Sequence, residues 1–379
     1  MKLGYLQHVY AHEGPFVTVY LDTSADSADA GKEIELRWRS ARERLAEHGA
    51  SAEDLRAVDE TVGSHEWRTG RRGNVLVAAG GGIVFRDELP EAPEEFSDDE
   101  LARLGPVPHL MPYLRLRGAR VPHVLVLVDR TGADLHVVDA AGHSGVVTVQ
   151  GDATPLHKSH TAGEGHEKSH HDAVEEQWLR NAGQVAAEVD TRALRTGAEV
   201  IVLAGDVRMR RMVYDHLHKG LRDRVVATEA SHRDRNASEQ TLREEVHEAV
   251  RSVVRERTES TVREFERERG QHDRAVDGWA DTVGALQRGQ VATVLRSTKE
   301  VGESPESLWI GPDPNQTAVE RSTLTDMGVS SPVSVSADEA VLQALVGTDA
   351  ELVLVEPERI TLTAGIGAVL RYSDSGSGH

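Results

Sequence analysis

The 379 residues exceed what one hydrophobic core ordinarily organises, so two or three domains are expected. The absence of cysteine excludes disulfides, thiolate zinc sites, iron-sulfur clusters and a cysteine nucleophile. Lys and Arg number 43 against 63 Asp and Glu, a formal charge of -20, so the molecule as a whole is repelled by polyanions and nucleic-acid contacts must come from local basic islands.

Met1 to His8 lacks the basic and then apolar stretch of a signal peptide, and no apolar run is long enough to cross a bilayer, so a soluble, cytoplasmic chain with no membrane partner is expected. Phe16 to Asp22 alternates and is β-branched, a strand pattern, and Ile34, Trp38, Ala41 and Leu45 follow at helical spacing. Asn74 to Phe85 reads as two strands around a glycine turn. Gly80, Gly81 and Gly82 lack the Gly-Lys-Ser/Thr ending of a phosphate loop, which favours a hairpin. Five prolines between residues 89 and 112 give a Pro/Glu-rich linker composition, and a first domain is placed at 1–118.

A second domain, 119–260, opens on the continuous apolar run His123 to Asp129, typical of a buried strand, with a turn at Arg130 to Ala133 and a partner strand after it. Val174, Trp178, Ala182, Val185 and Val189 mark one helix face, and Glu199 to Ala204 returns as a buried strand. A long charged amphipathic helix then runs from Asn236 to about Gly270. The third domain, 261–372, repeats the mixture, with strands at 291–295, 307–310, 351–355 and 360–363 and a helix capped by Ser336 with Glu339; a disordered tail is expected over 373–379. The fold class is mixed α/β. Two basic islands stand out, Val207 to Arg224 and the group Arg115, Arg117 and Arg120.

Between Pro155 and Asp172 lies a histidine-rich segment in which His166-Glu167-Lys168-Ser169-His170 spells H-E-x-x-H. On a helix, His166 and His170 would share a face and bind zinc, with Glu167 as general base for a metal-bound water. The setting favours a polar exposed loop over 155–172 instead. Gly163 and Gly165 stand just upstream, apolar residues are almost absent, and the third ligand is unfixed among Glu175, Glu176 and Glu188. No metal or other cofactor is called for on this reading.

Gly14 to Thr23, Val126 to Asp134 and Ala364 to Tyr372, in that order, resemble the bacterial relatives of archaeal and eukaryotic peptide-chain release factors, and most of all the actinobacterial branch grouped with the hibernation factor Balon and Pelota-like rescue factors. The resemblance implies three domains: an N-terminal one facing the decoding site, a ribonuclease-H-like middle one, and an L7Ae-like C-terminal one that docks a translational GTPase such as elongation factor Tu. True release factors carry Gly-Gly-Gln on the loop entering the middle-domain helix; here Gly163 and Gly165 are split by Glu164, and no Gly-Gly-Gln occurs.

The expectation is therefore a non-enzymatic translation factor in the ribosomal A site, acting in hibernation or stress protection. Its expected ribosomal RNA contacts are His157, Lys158, His160, His166, Lys168, His170 and His171 in the loop, and Arg208, Arg210 and Arg211 beside the middle domain. The alternatives are a zinc metallopeptidase using His166, Glu167 and His170, and a peptidyl-tRNA hydrolase or nuclease acting in rescue.

Overall fold

The computed structural model describes residues 1–24, 30–64, 72–89, 91–93, 96–118, 120–151, 164–228, 235–271, 273–299 and 301–373, with backbone alone at 30, 164–174, 235–240 and 243. Among the described residues the chain is mixed α/β with four sheets, and it divides into two compact units, one formed by 1–119 together with 258–379, the other by 120–257. Sheets occur in the three successive segments 1–119, 120–257 and 258–379.

In the first unit, Phe16–Asp22 sits between Gly73–Ala79 and Ala102–Gly105 in an antiparallel sheet completed by Gly82–Leu89. Successive side chains of a strand point to opposite faces, and here both faces are covered. Val17, Val19 and Leu21 pack with Ile34, Trp38, Ala41 and Leu45 of the helix Ala30–Glu47 and with Leu55, Val58 and Val62 of Ala52–Ser64. Phe16 and Tyr20 point the other way, into a core that also holds Leu286, Val294, Leu342, Leu345 and Leu352. Each such buried side chain contributes roughly 1.5–3 kcal/mol. The segments expected as first and third domains thus share one core.

The glycine hairpin is present, with Gly80 and Gly81 at φ 60° and 82° in its two-residue turn. The proline-rich stretch is not a linker throughout. Ala102–Gly105 pairs with Phe16 to Val19, and Leu110, Met111, Tyr113 and Leu114 are buried, because prolines at its turns leave the intervening residues free to join the sheet and core. In the C-terminal segment Ala275–Asp277, Ile366–Leu370, Val291–Ser297 and Glu351–Val355 form one sheet, and Thr317–Ala318, Ser307–Ile310 and Val333–Ser336 a smaller one. The capping box of Ser336 and Glu339 opens the helix Ala337–Thr348 as expected. Residues 360–363 form no strand; Ile360 and Leu362 are nonetheless buried, so their apolar alternation reports burial without pairing.

The second unit is a five-stranded sheet in the order Ser144–Gln150, Gly132–Val138, His123–Val128, Val200–Gly205, Val225–Ala227. Numbered along the chain this is 3-2-1-4-5, with the first three strands antiparallel and the last three parallel, the arrangement expected of a ribonuclease-H-like domain. Val124, Val126, Ile201 and Leu203 face the helices Glu164–Thr196 and Val207–His216. Val200, Val202 and Leu125 face Val246, Ala249, Val250 and Val253 of the helix Arg235–Gln271.

His123 starts the central strand of this sheet. Burial is the main cause that holds its imidazole below the ordinary 6.5; the Val121 carbonyl, 2.9 Å from Nδ1, pulls the value up, and a charge on His247 pushes it down again. A depressed histidine pKa in the fold means that the neutral form is stabilised. Its contribution is complete above pH 6.5 and is lost as pH falls below that value through the folded one. Lowering pH from about 7.5 to about 5 should therefore speed hydrogen exchange in peptides spanning 121–128 and 200–205, beyond the change in intrinsic rate, and His123→Gln should shrink the effect. An equal acid response in the variant would rule this out.

Candidate nucleic-acid interface

The carboxyl ends of two neighbouring parallel strands, at Val128 and Gly205, open onto one surface where helix Val207–His216 begins and helix Glu164–Thr196 passes. In open α/β sheets, ligands are met outside such strand ends. Asp206 caps the helix, accepting from the amides of Arg208 at 3.0 Å and Met209 at 3.1 Å. Burial would raise its carboxyl, but those two amides and the Arg130 guanidinium outweigh this and hold it below the usual carboxylate range.

Arg130 reaches the same Asp206 through Nε at 3.3 Å and lies over the ring of Trp178, 4.7 Å from its centroid. Arg208 lies over the same ring at 5.2 Å and pairs through Nη2 with Glu175. The turn carrying Arg130 is fixed from below. Asp129 Oδ1 accepts from the Thr131 and Gly132 amides at 2.7 and 3.0 Å, and the buried Asn181 donates Nδ2 to the Arg130 carbonyl at 3.1 Å. Asn181 in turn accepts from Gln177 at 3.3 Å. Gly151 passes so close that a Cβ there would meet Asn181 Cγ at 2.4 Å.

The expected RNA contacts are placed as follows. Arg208, Arg210 and Arg211 all lie on helix Val207–His216; Arg211 is exposed and paired with Asp215 at 3.1 Å, while Arg210 is half-buried with no partner for its Nε among the described residues. His157, Lys158 and His160 lie outside the described residues. His166, Glu167, Lys168, His170 and His171 occupy helical backbone, with side chains outside the description. The loop expected over 155–172 is therefore helix from Glu164 onward. Once the buried face at Ala182, Val185 and Val189 nucleates the helix, adding polar residues at its start costs little, so two glycines and a lack of apolar residues do not stop it.

The three nominated third zinc ligands lie on the same helix as His166 and His170. Glu188 lies eighteen residues beyond His170 on the same helix, about 27 Å along it at about 1.5 Å per residue. Glu175 holds Arg208, and Glu176 lies 3.8 Å from Arg180. The smaller basic group is divided as well. Arg115 pairs with Asp338 at 2.8 Å and Arg117 with Asp87 at 3.5 Å in one unit, while Arg120 belongs to the other.

Sequence reasoning passed over Arg130, Trp178 and Asn181. Trp178 sat on the apolar face of a helix and Arg130 in a turn, and only the strand order brings them together.

Residues 122–271 match the model of bacterial archaeo-eukaryotic release factor family 2. Over 376 residues, 98% of this chain and 97% of the relative, the chain is 29% identical to the uncharacterized protein Rv2629 of Mycobacterium tuberculosis strain H37Rv, with the same figures for MT2704 of strain CDC 1551. Among solved structures it is similar to Pelota of Archaeoglobus fulgidus, at 12% identity over 98% of this chain and 92% of that one with a TM-score of 0.33. It is also similar to Dom34 of S. cerevisiae, a translation termination-like factor that interacts with Hbs1, at 8% identity over 80% and 81% with a TM-score of 0.40. The likeness to the bacterial archaeo-eukaryotic release factors thus rests on residues 122–271, the segment that holds the five-stranded sheet and the candidate interface.

Proposed function

We propose that this chain is a ribosome-associated translation factor that enters the A site, contacts ribosomal RNA and protects ribosomes during stress without releasing nascent peptide. The family match over 122–271 is the observation that carries the reading. The basic island on helix Val207–His216 is the part of an acidic chain suited to meet phosphate, and the acidic remainder faces protein or solvent. Residues 261–372 would dock a translational GTPase, with elongation factor Tu the first to try. Because that segment shares a core with 1–119, the docking test calls for surface substitutions; deleting it would expose the core.

Hydrolysis of peptidyl-tRNA needs donors aimed at the developing oxyanion. Here Glu164 separates the two glycines where a release factor has Gly-Gly-Gln, and its carboxylate would repel that charge. Labelled peptide should leave programmed ribosomes no faster with this protein than without it. A rate well above background, lost when residues 157–171 become a Gly-Ser linker, would overturn the non-enzymatic reading.

One observation favours a second reading. H-E-x-x-H lies on helical backbone, as a zinc peptidase requires. Elemental analysis decides it: one equivalent of zinc, lost in His166→Ala and His170→Ala, would establish a metal site completed from outside this helix.

A further inference from the structure

Arg130 and Arg208 come from different elements, a turn and the first turn of a helix, yet both guanidinium groups lie over the Trp178 indole. Two like charges on one ring repel, and the pairs that hold them add little stability. The arginine side chains are 61% and 50% exposed, and surface ion pairs contribute only about 0–1 kcal/mol. The scaffold beneath is nonetheless closely built, from the Asp129-held turn to the buried Asn181 that grips the Arg130 carbonyl against Gly151. Arg130 uses Nε alone on Asp206, whose charge is already engaged by two helix amides, and Arg208 uses Nη2 alone on Glu175. The remaining donors of both forks make no other hydrogen bond among the described residues.

We propose that Arg130 and Arg208, aligned on Trp178, clamp one phosphodiester of single-stranded RNA, with Glu175 released as the phosphate enters. This rests on the ribosome-associated reading above and gives it a defined contact. The two non-bridging oxygens of a diester accept from paired guanidinium forks, and stacking on the indole orders those forks before the ligand arrives. Charge selects the diester. The two arginines balance Asp206 and Glu175; exchanging Glu175 for a monoanionic diester keeps that balance, whereas a phosphate dianion leaves an excess negative charge beside Asp206.

The test uses the full chain and a labelled oligouridylate of about twelve nucleotides, followed by fluorescence anisotropy at several salt concentrations. Arg130→Gln with Arg208→Gln should weaken binding at least tenfold and lower the salt slope by about 0.7, the share of one single-strand phosphate. Arg195→Gln, exposed near the far end of helix Glu164–Thr196, should change affinity less than threefold. Replacing both arginines by lysine keeps the charge but removes the planar fork, and should recover only part of the affinity. Inorganic phosphate should compete no better than chloride at equal ionic strength.

Thermal melts matching wild type establish that the variants are folded. Absence of wild-type binding, an unchanged affinity and slope in the double variant, an equal loss in Arg195→Gln, or strong competition by phosphate would each overturn the clamp. Ribosome co-sedimentation separates the two levels. Wild-type protein that pellets with ribosomes while the double variant pellets equally well and binds RNA unchanged refutes the clamp alone; wild-type protein that does not pellet refutes the underlying reading.

Discussion

Replacing Gly205 by alanine should destabilise the 120–257 unit by about 4 kcal/mol or more, at the extreme of single substitutions. Gly205 ends a central parallel strand opposite Val128 with φ 107°, and a Cβ there would stand 2.0 Å from the Val128 carbonyl oxygen. That oxygen also accepts from the Asp206 amide at 3.0 Å, so moving it breaks the strand end and the helix cap together. Gly197 provides the contrast. It has φ 66° with nothing within 4 Å of a Cβ, so Gly197→Ala carries only the left-handed backbone strain, about 1–2 kcal/mol. Urea unfolding of both variants checks the pair. Equal effects would mean that the close approach to Val128 is not a constraint.

Glu339→Ala should cost the other unit about 3 kcal/mol. The Glu339 side chain is only 3% exposed; it accepts from His109 Nδ1 at 2.8 Å and from the Ser336 amide at 3.2 Å, and lies 3.5 Å from Arg103 Nε. His109 is itself pinned, its amide donating to Thr18 Oγ1 and its carbonyl accepting from the Tyr20 hydroxyl at 2.6 Å. Truncation at residue 339 therefore leaves buried polar partners from the N-terminal segment unpaired, which is where such losses become large. Glu339→Gln keeps the shape and an acceptor, and should cost less than half as much. A loss below about 1 kcal/mol in the alanine variant, read from denaturant unfolding, would show that the two segments do not depend on this junction.

Local pattern carried much of this fold. Phe16 to Asp22, the glycine hairpin, the face of Ile34, Trp38, Ala41 and Leu45, and the Ser336 cap were legible because each depends on residues within a few turns or one strand. What was not legible depends on distant pairing. Ala102–Gly105 looked like linker because its neighbours are proline and acid, and only its pairing with Phe16 to Val19 makes it a strand. Sharing of one core by 1–119 and 258–379 leaves no periodic trace in either segment.

The candidate interface divides the same way. Clustered charge on 207–216 identifies Arg208 and Arg211, but Arg130 gains its place through a turn held by Asn181, fifty-one residues away in sequence. The helix through 166–170 was missed because its support lies further along, at Ala182 and beyond, and not in the histidine-rich residues themselves.

The central claim, that this chain binds ribosomes at the A site, is tested most directly by co-sedimentation of the purified full-length protein with intact bacterial ribosomes whose A site is either empty or filled by tRNA. Stoichiometric pelleting with the empty ribosomes, falling away with rising salt and abolished when tRNA fills the site, is the predicted result. Protein that stays in the supernatant, or pellets equally whether or not tRNA occupies the A site, would contradict it.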